Sequence, residues 1–592
     1  MLNKQIEEFR KFQKRTLILG IGKSILSLLI VSKLYYLQIL NKSKFGKLSE
    51  TNRIKIRVLY PERGVISDIK GKKLADNRID YQITILKEDK KHLKKTLNNL
   101  GKIINISTSE LNLLEKNLKK RTLDDFVIVK RNLTWEELEV FEYYSFHFPY
   151  LSINKQRVRD YKNSYAFSHV IGYVGFTSQK SNSRLNELKI GKSGVEEKYN
   201  SYLQGKEGIQ RVESNSSGKV ISLLDAQKSV SGKNLNTFLN KDIQEFCFKT
   251  LGERSGSIVV IDNKTGGVVA LVSSPSFDIN EFSYGINSKK WNLLKNNQFK
   301  PLLNKSISGL YSPGSTFKLI VGLLALQDDN FQPYSKFFCS GHVSLGNHKF
   351  HCWKRKGHGK VDLSQAIYKS CDCYFYNLAN QININKLSDY AELFSIGKKT
   401  GIDLPNELQG LMPNEMWKRT NKGENWHLGE TYNAVIGQGF TLSTPLQIAI
   451  MTARIASGKF IIPRIVKENQ SFGNMPIKIE HLNFIRNSMF QVVNQYGGTA
   501  FSSKLKSKSI YMAGKTATSQ VRRISLSERE TGVLENKDLP YKLRDHSIFS
   551  GFAPFNNPKY SIAVVLEHHG SGSKFAAPIA RDVLDFALSK YL

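Results

Sequence analysis

Acidic residues are scarce in this chain: 51 Asp and Glu stand against 87 Lys and Arg, a formal net charge of +36. Such a surplus raises the question of nucleic-acid binding. No zinc-finger array, RNP signature or other nucleic-acid motif accompanies it, so no nucleic-acid partner is expected. A lysine-rich solvated surface accounts for the charge, and it would favour contact with anionic lipid heads or polymers. Short-period repeats are missing, which sets aside solenoids and arrays. The five cysteines include no CxxC pair, so no zinc knuckle is written. At 592 residues the chain exceeds one ordinary domain and implies two or more.

Long apolar runs are equally rare. Residues 17–37 form the one convincing stretch, about the 20 residues that a helix needs to cross a bilayer. Lys23 and Lys33 lie toward its two ends, where their ammonium groups can snorkel to opposite interfaces. Arg10, Lys11, Lys14 and Arg15 precede it, which orients the N-terminus to the cytoplasm. No small-x-small cleavage site follows. The reading is a cytoplasmic segment 1–16, an uncleaved single-pass anchor 17–40, and everything later outside the cytoplasm.

What is present begins with Ser315-Thr316-Phe317-Lys318, set behind Pro313-Gly314. Serine and lysine three residues apart on a helix share one face, and a neutral lysine there can take the serine proton. Peptide N–H groups at the helix start would face a developing oxyanion. Alone the pattern is weak. Two companions follow: Ser370-Cys371-Asp372 at +55 and Lys515-Thr516-Ala517-Thr518 at +200. An ordered S-x-x-K, S-x-N and K-T-G set marks the penicillin-recognising serine enzymes. With the flanks Pro301-Leu302-Leu303-Asn304-Lys305 and Gly309-Leu310-Tyr311-Ser312, the chain resembles the class B penicillin-binding proteins.

The resemblance extends over nearly the whole chain. Pro61-Glu62-Arg63-Gly64, Phe167-Ser168-His169 and Gly194-Val195-Glu196 look like that family's non-catalytic pedestal, where Arg63, Asp68 and Glu196 are expected to be structural. Segments 41–233 and 234–592 are expected to be the pedestal and the transpeptidase domain. Residues 86–140 alternate charge with Leu and Ile and predict exposed amphipathic helices, and the small, polar segment 216–233 predicts a linker. Strands are expected at 256–262, 267–272, 511–521, 547–552 and 560–567, with a terminal helix at 578–588. The fold class is therefore α+β: an N-terminal transmembrane helix, an elongated pedestal, and an antiparallel sheet flanked by helices.

The resemblance implies roles. Ser315 would attack the penultimate D-Ala carbonyl of a D-Ala-D-Ala stem peptide, and β-lactams would occupy the same site. Lys318 would be the base, Ser370 the proton relay and Asp372 its support. Lys515 would add positive potential, Thr516 and Thr518 would bind the substrate carboxylate, and the N–H groups of Ser315 and Thr518 would form the oxyanion hole. Ala517 departs from the family's usual glycine; sharing a strand face with Lys515, its methyl is expected to crowd the pocket. His546 is set aside, because a serine–lysine scheme needs no histidine.

Four cysteines fall between residues 339 and 373. Cys339, Cys352, His358 and Cys371 would make a closed, structural zinc site, with 12, 5 and 12 residues intervening. That spacing is weak by itself, and elongation-type relatives are similar in placing a metal here. Unbound thiols or disulfides are the alternative, and Cys247 and Cys373 read as small buried hydrophobes. No cofactor is required for the chemistry. The implied function is cross-linking of stem peptides during lateral-wall elongation at the bacterial inner membrane, with the catalytic domain in the periplasm. A RodA-type glycosyltransferase and an MreC-type protein would be its partners. A division-type transpeptidase and a non-enzymatic scaffold that activates a polymerase are the competing readings.

Overall fold

The computed structural model describes residues 2–45, 53–86, 93–106, 114, 126–148, 151–176, 189–214, 220–522, 528 and 533–591. The chain divides into two compact units, residues 1–62 with 205–231, and residues 63–204 with 232–592.

The first unit holds a helix, Leu2–Tyr35, that continues into a π-helical turn, Tyr36–Leu40. It is long and apolar enough to cross a membrane and is exposed along its length. The same unit contains a three-stranded antiparallel sheet in the order Ile54–Leu59, Gly208–Ser214, Val220–Gln227. The last strand corrects the expected polar linker. Ile221, Leu223 and Leu224 within it favour a pleated strand over a coil, while residues 215–219 lie outside the described residues.

The second unit opens with the pedestal sheet, whose spine is the 14-residue strand Lys73–Leu86. That strand turns back on Ile66–Ser67 through Gly71, at φ +81°, a conformation that glycine adopts without Cβ strain. It pairs with Phe126–Lys130 and runs against Leu151–Tyr161 from Ala75 opposite Tyr161 to Ile85 opposite Leu151. The helices expected across 86–140 are found at Leu93–Leu100 and Trp135–Tyr144. Between them, Phe126–Lys130 is a strand instead, because Phe-Val-Ile-Val is an apolar, β-branched run. The rest of that interval (87–92, 107–113, 115–125) lies outside the described residues.

Glu196 is fully buried in the pedestal. Arg63 Nε donates to Oε2 at 2.6 Å and Arg159 Nε to Oε1 at 2.7 Å, while Arg63 Nη2 donates to the Glu196 carbonyl at 3.1 Å. Three distant segments are tied at one carboxylate. Burial raises its pKa, but the guanidiniums of Arg159 and Arg63 outweigh burial and leave it below the ordinary carboxylate range. Asp68 also caps backbone, accepting from the N–H groups of Lys70, Lys72 and Lys241.

The catalytic sheet has five antiparallel strands: β1 Gly256–Asp262, β2 Val268–Ser274, β3 Ala513–Ser519, β4 His546–Ala553 and β5 Tyr560–Leu566. Their order is β2-β1-β5-β4-β3, which leaves β3 at an edge. Period-two alternation assigns the faces. Ile258 and Val260 join the core of helices α1 (Lys241–Leu251) and α5 (Ala577–Tyr591). Val259 and Ile261 join that of α4 (Pro445–Ser457). Both faces are covered, so these strands are continuous β-branched runs rather than polar–apolar alternations.

Replacing Glu196 by Gln is expected to lower unfolding stability of the full chain in detergent by about 3–5 kcal/mol at pH 7, the scale of a broken buried ion pair. The native pKa is depressed, so the carboxylate's stabilisation is complete above the unfolded carboxylate range and is lost as pH falls through the native value. Urea titrations of both proteins should therefore converge at acid pH; a gap independent of pH would contradict this account.

Candidate active site

Ser315 lies in a 3-10 turn, Gly314–Thr316, and the α-helix that follows, α2, begins only at Lys318 and ends at Leu326. The serine thus precedes the helix rather than sharing its first regular turn. Gly314 at φ +54° supplies the sharp entry. Ser315 is half-buried, whereas Lys318 is fully buried.

A loop that sequence reasoning passed over supports this turn. The Gly314 N–H donates to the Gly437 carbonyl at 2.8 Å, and Gln438 Nε2 donates to the Thr518 carbonyl at 3.1 Å. Residues 437–438 therefore link the Ser315 turn to edge strand β3. Gly437 sits at φ +67°, and a Cβ there would lie 2.3 Å from the Gly314 carbonyl oxygen. The glycine-dense run Gly437-Gln438-Gly439 was the available signal.

Ala517 belongs to the same contact. Its methyl lies 3.2 Å from where a Gly314 Cβ would stand, and the residue is only 4% exposed. The methyl packs over the bare glycine of the Ser315 turn instead of standing open to solvent.

Two lysines meet at one hydroxyl. Lys318 Nζ lies 3.4 Å from Ser370 Oγ and donates to the Ser370 carbonyl at 3.1 Å and to Asp372 Oδ1 at 2.7 Å. Lys515 Nζ donates to Ser370 Oγ at 2.9 Å and to the Thr516 carbonyl at 3.0 Å. Burial first, then repulsion from Lys318, push the Lys515 pKa well below the ordinary lysine value, against the pull of Asp372. Asp372 opens helix α3, Asp372–Ala379, where the exposed N–H groups favour a carboxylate. Ser370 itself has φ +57°, a left-handed conformation that costs a serine on the order of 1–3 kcal/mol.

The two threonines are placed differently from one another. Thr516 Oγ1 pairs with Thr499 Oγ1 at 2.6 Å and the residue is buried, while Thr518 is half-buried at the strand edge. The Thr518 carbonyl points off the open edge toward Gln438, so in extended chain its N–H leaves by the same edge. His546, at the start of β4, accepts from the His568 N–H at 3.0 Å and stands edge-on to the Tyr311 ring at 5.3 Å. Burial, then the charge of His568, push its pKa down to about 4, so it is neutral near pH 7.

The four residues named as metal ligands also come together. One donor atom from each of Cys339, Cys352, His358 and Cys371 lies within 4.8 Å of the others. His358 Nδ1 is 3.5 Å from Cys352 Sγ and 3.8 Å from Cys339 Sγ, while its buried Nε2 has no partner. All five cysteines are unbridged and buried. Cys373, expected to be inert, reaches the cluster. The thiols of Cys371 and Cys373 donate toward Cys352, which lowers the Cys352 pKa and raises theirs. Three thiols and an imidazole gathered without disulfides are a donor set that fits a tetrahedral zinc ion.

The fold and this cluster define a transpeptidase of the penicillin-binding class. Residues 256–585 match the penicillin-binding protein transpeptidase domain, and residues 58–237 the penicillin-binding protein dimerisation domain. The chain is 33% identical to peptidoglycan D,D-transpeptidase MrdA of Haemophilus influenzae, over 98% of its own length and 92% of that protein. Among solved structures it is similar to penicillin-binding protein 2 of Helicobacter pylori in complex with MreC, with TM-score 0.80, 30% identity, 91% of this chain and 99% of that one. It is also similar to Pseudomonas aeruginosa penicillin-binding protein 2 in complex with WCK 5153, with TM-score 0.65, 30% identity, and 90% and 96% coverage. The chain belongs to the class B penicillin-binding proteins, and among them to the MrdA, or penicillin-binding protein 2, type.

Substituting Gly437 by Ala is expected to displace the Ser315 turn, since the new methyl would overlap the Gly314 carbonyl. Covalent labelling by a fluorescent penicillin should slow by about tenfold or more, given that small misplacements of reacting groups carry penalties of that order or larger. Labelling at the wild-type rate would show that the turn does not depend on this contact.

Proposed function

We propose that this protein is a membrane-anchored peptidoglycan D,D-transpeptidase of lateral-wall elongation that works through an acyl-enzyme on Ser315. The observation that carries the reading is the convergence of Lys318 and Lys515 on the Ser370 hydroxyl. The Ser315 oxygen attacks the penultimate D-Ala carbonyl as Lys318 accepts its proton. The C–N bond breaks, the proton passes by way of Ser370 to the leaving amine, and D-Ala departs. An amine from a neighbouring stem then takes the acyl group and restores the serine. Lys515 donates a hydrogen bond to the relay hydroxyl, and Asp372 holds Lys318 in place. The N–H groups of Ser315 and Thr518 stabilise the tetrahedral oxyanion.

Thr518 suits the substrate carboxylate better than Thr516, whose hydroxyl is already engaged by Thr499. The unpaired edge of β3 lets an extended stem peptide dock alongside it. A β-lactam mimics the same peptide and acylates the same serine. The architecture proposed is a cytoplasmic segment 1–16, an anchor 17–40, a pedestal 41–233 and a transpeptidase domain 234–592. The chain is held in the inner membrane with its catalytic domain in the periplasm. An MreC-type protein and a RodA-type polymerase are its partners; the complex of the H. pylori relative with MreC supports the first. The chemistry needs no cofactor. A zinc ion held by Cys339, Cys352, His358 and Cys371 would be structural, fixing the segment that carries Ser370 and Asp372.

Three experiments test this reading. Full-length protein incubated with labelled penicillin should form a stable adduct at Ser315, and Ser315→Ala should form none. In cells depleted of the wild type, full rescue of growth and cross-linking by S315A would favour the scaffold reading instead. Reduced, folded protein should contain one zinc per chain, and Cys352→Ser should lower both metal content and melting temperature. Absence of stoichiometric metal would remove the zinc assignment and leave the serine chemistry untouched.

A further inference from the structure

We infer that Trp353 is a positioning residue for acylation, holding Ser370 and Asp372 in register with the two lysines; this rests on the acyl-enzyme reading above. Trp353 directly follows Cys352, on the loop after the short strand His348–His351. Its main-chain N–H donates to Asp372 Oδ2 at 2.8 Å, and Lys318 Nζ donates to the other oxygen, Oδ1, at 2.7 Å. The carboxylate is thereby held through both oxygens and cannot rotate away from Lys318 without losing a partner.

The indole acts on the neighbouring residue. Nε1–H donates to the Ser370 carbonyl at 3.0 Å and to the Lys369 carbonyl at 3.2 Å. The Ser370 carbonyl also accepts from Lys318 Nζ at 3.1 Å. A serine persists at φ +57° only where its surroundings over-determine it. Two donors on its carbonyl, with the Cys371 N–H bound to the Ala366 carbonyl at 2.8 Å, meet that requirement. Relaxation of this backbone would carry Oγ away from Lys515.

Core packing does not account for the residue. Trp353 is 60% exposed, and the ring contact it makes is edge-on to His358 at 5.4 Å. A mostly exposed indole adds little apolar burial. Its contribution lies in two N–H donors aimed at the second catalytic motif.

Trp353→Phe keeps an aromatic ring and the main-chain donor but removes Nε1–H. With full-length protein in detergent and labelled penicillin, three quantities separate: the affinity of the non-covalent encounter, the first-order acylation rate at saturation, and the adduct amplitude. The rate is expected to fall about tenfold, the scale of one lost hydrogen bond in a transition state, with affinity and amplitude unchanged. Trp353→Leu, different in shape but equally without the donor, should show the same slow rate and full amplitude. Trp135→Phe, at an exposed pedestal tryptophan, should acylate like wild type. Wild-type rates in W353F and W353L, or a loss of amplitude with an unchanged rate, would overturn the positioning role. A wild-type protein that forms no Ser315 adduct would sink the acyl-enzyme reading and this inference with it.

Discussion

Lys318 and Lys515 reach the same hydroxyl, that of Ser370, with both ammonium groups buried. Two uncompensated charges so placed would destabilise the fold by several kcal/mol each, so the surrounding chain has to answer them. Asp372 answers the first directly. The second is eased because burial and Lys318 push Lys515 toward its neutral form. That arrangement holds only if Asp372 and Ser370 stay fixed. The start of α3, the Trp353 donors and the cysteine cluster around Cys371 all bear on those two residues.

The Ser315 turn follows a similar logic on the other side. Gly314 bends the chain at positive φ, Gly437 accepts its N–H, and Ala517 covers it with a methyl. Edge strand β3 thus serves three ends: it carries Lys515, seals the turn through Ala517, and leaves one edge unpaired. The family's usual glycine at 517 would leave that seal open. Alanine fits because its partner, Gly314, has no side chain.

In the pedestal, Arg63, Arg159 and Glu196 come from three separate segments and meet in a buried cluster. Their chemistry resembles a catalytic set only in composition. The carboxylate's oxygens are occupied by two guanidiniums and by Tyr161, whose hydroxyl donates at 3.3 Å. A group so fully engaged has nothing left to offer a substrate.

Local chemistry wrote much of this protein in readable form. The apolar run at 17–37, the β-branched strands and the order of the three motifs follow from short-range residue patterns, which one sequence displays completely. Even Cys339, Cys352, His358 and Cys371 could be named as a set. Where short patterns conflicted, the reading failed: Phe126–Lys130 and Val220–Gln227 are strands because their own apolar, β-branched residues outweigh the surrounding charge and polarity. Gly437 and Gln438 left only a glycine-dense run as a signal and Trp353 left none, since each acts on a residue far along the chain or through a backbone atom that has no letter in the sequence. The sequence by itself determined which residue types carry the chemistry and in what order. Tertiary structure alone decided that burial depresses the Lys515 pKa, which threonine faces the open edge and where the Ala517 methyl points. Burial, distance and strand phase set those outcomes, and none of them exists until the chain is folded.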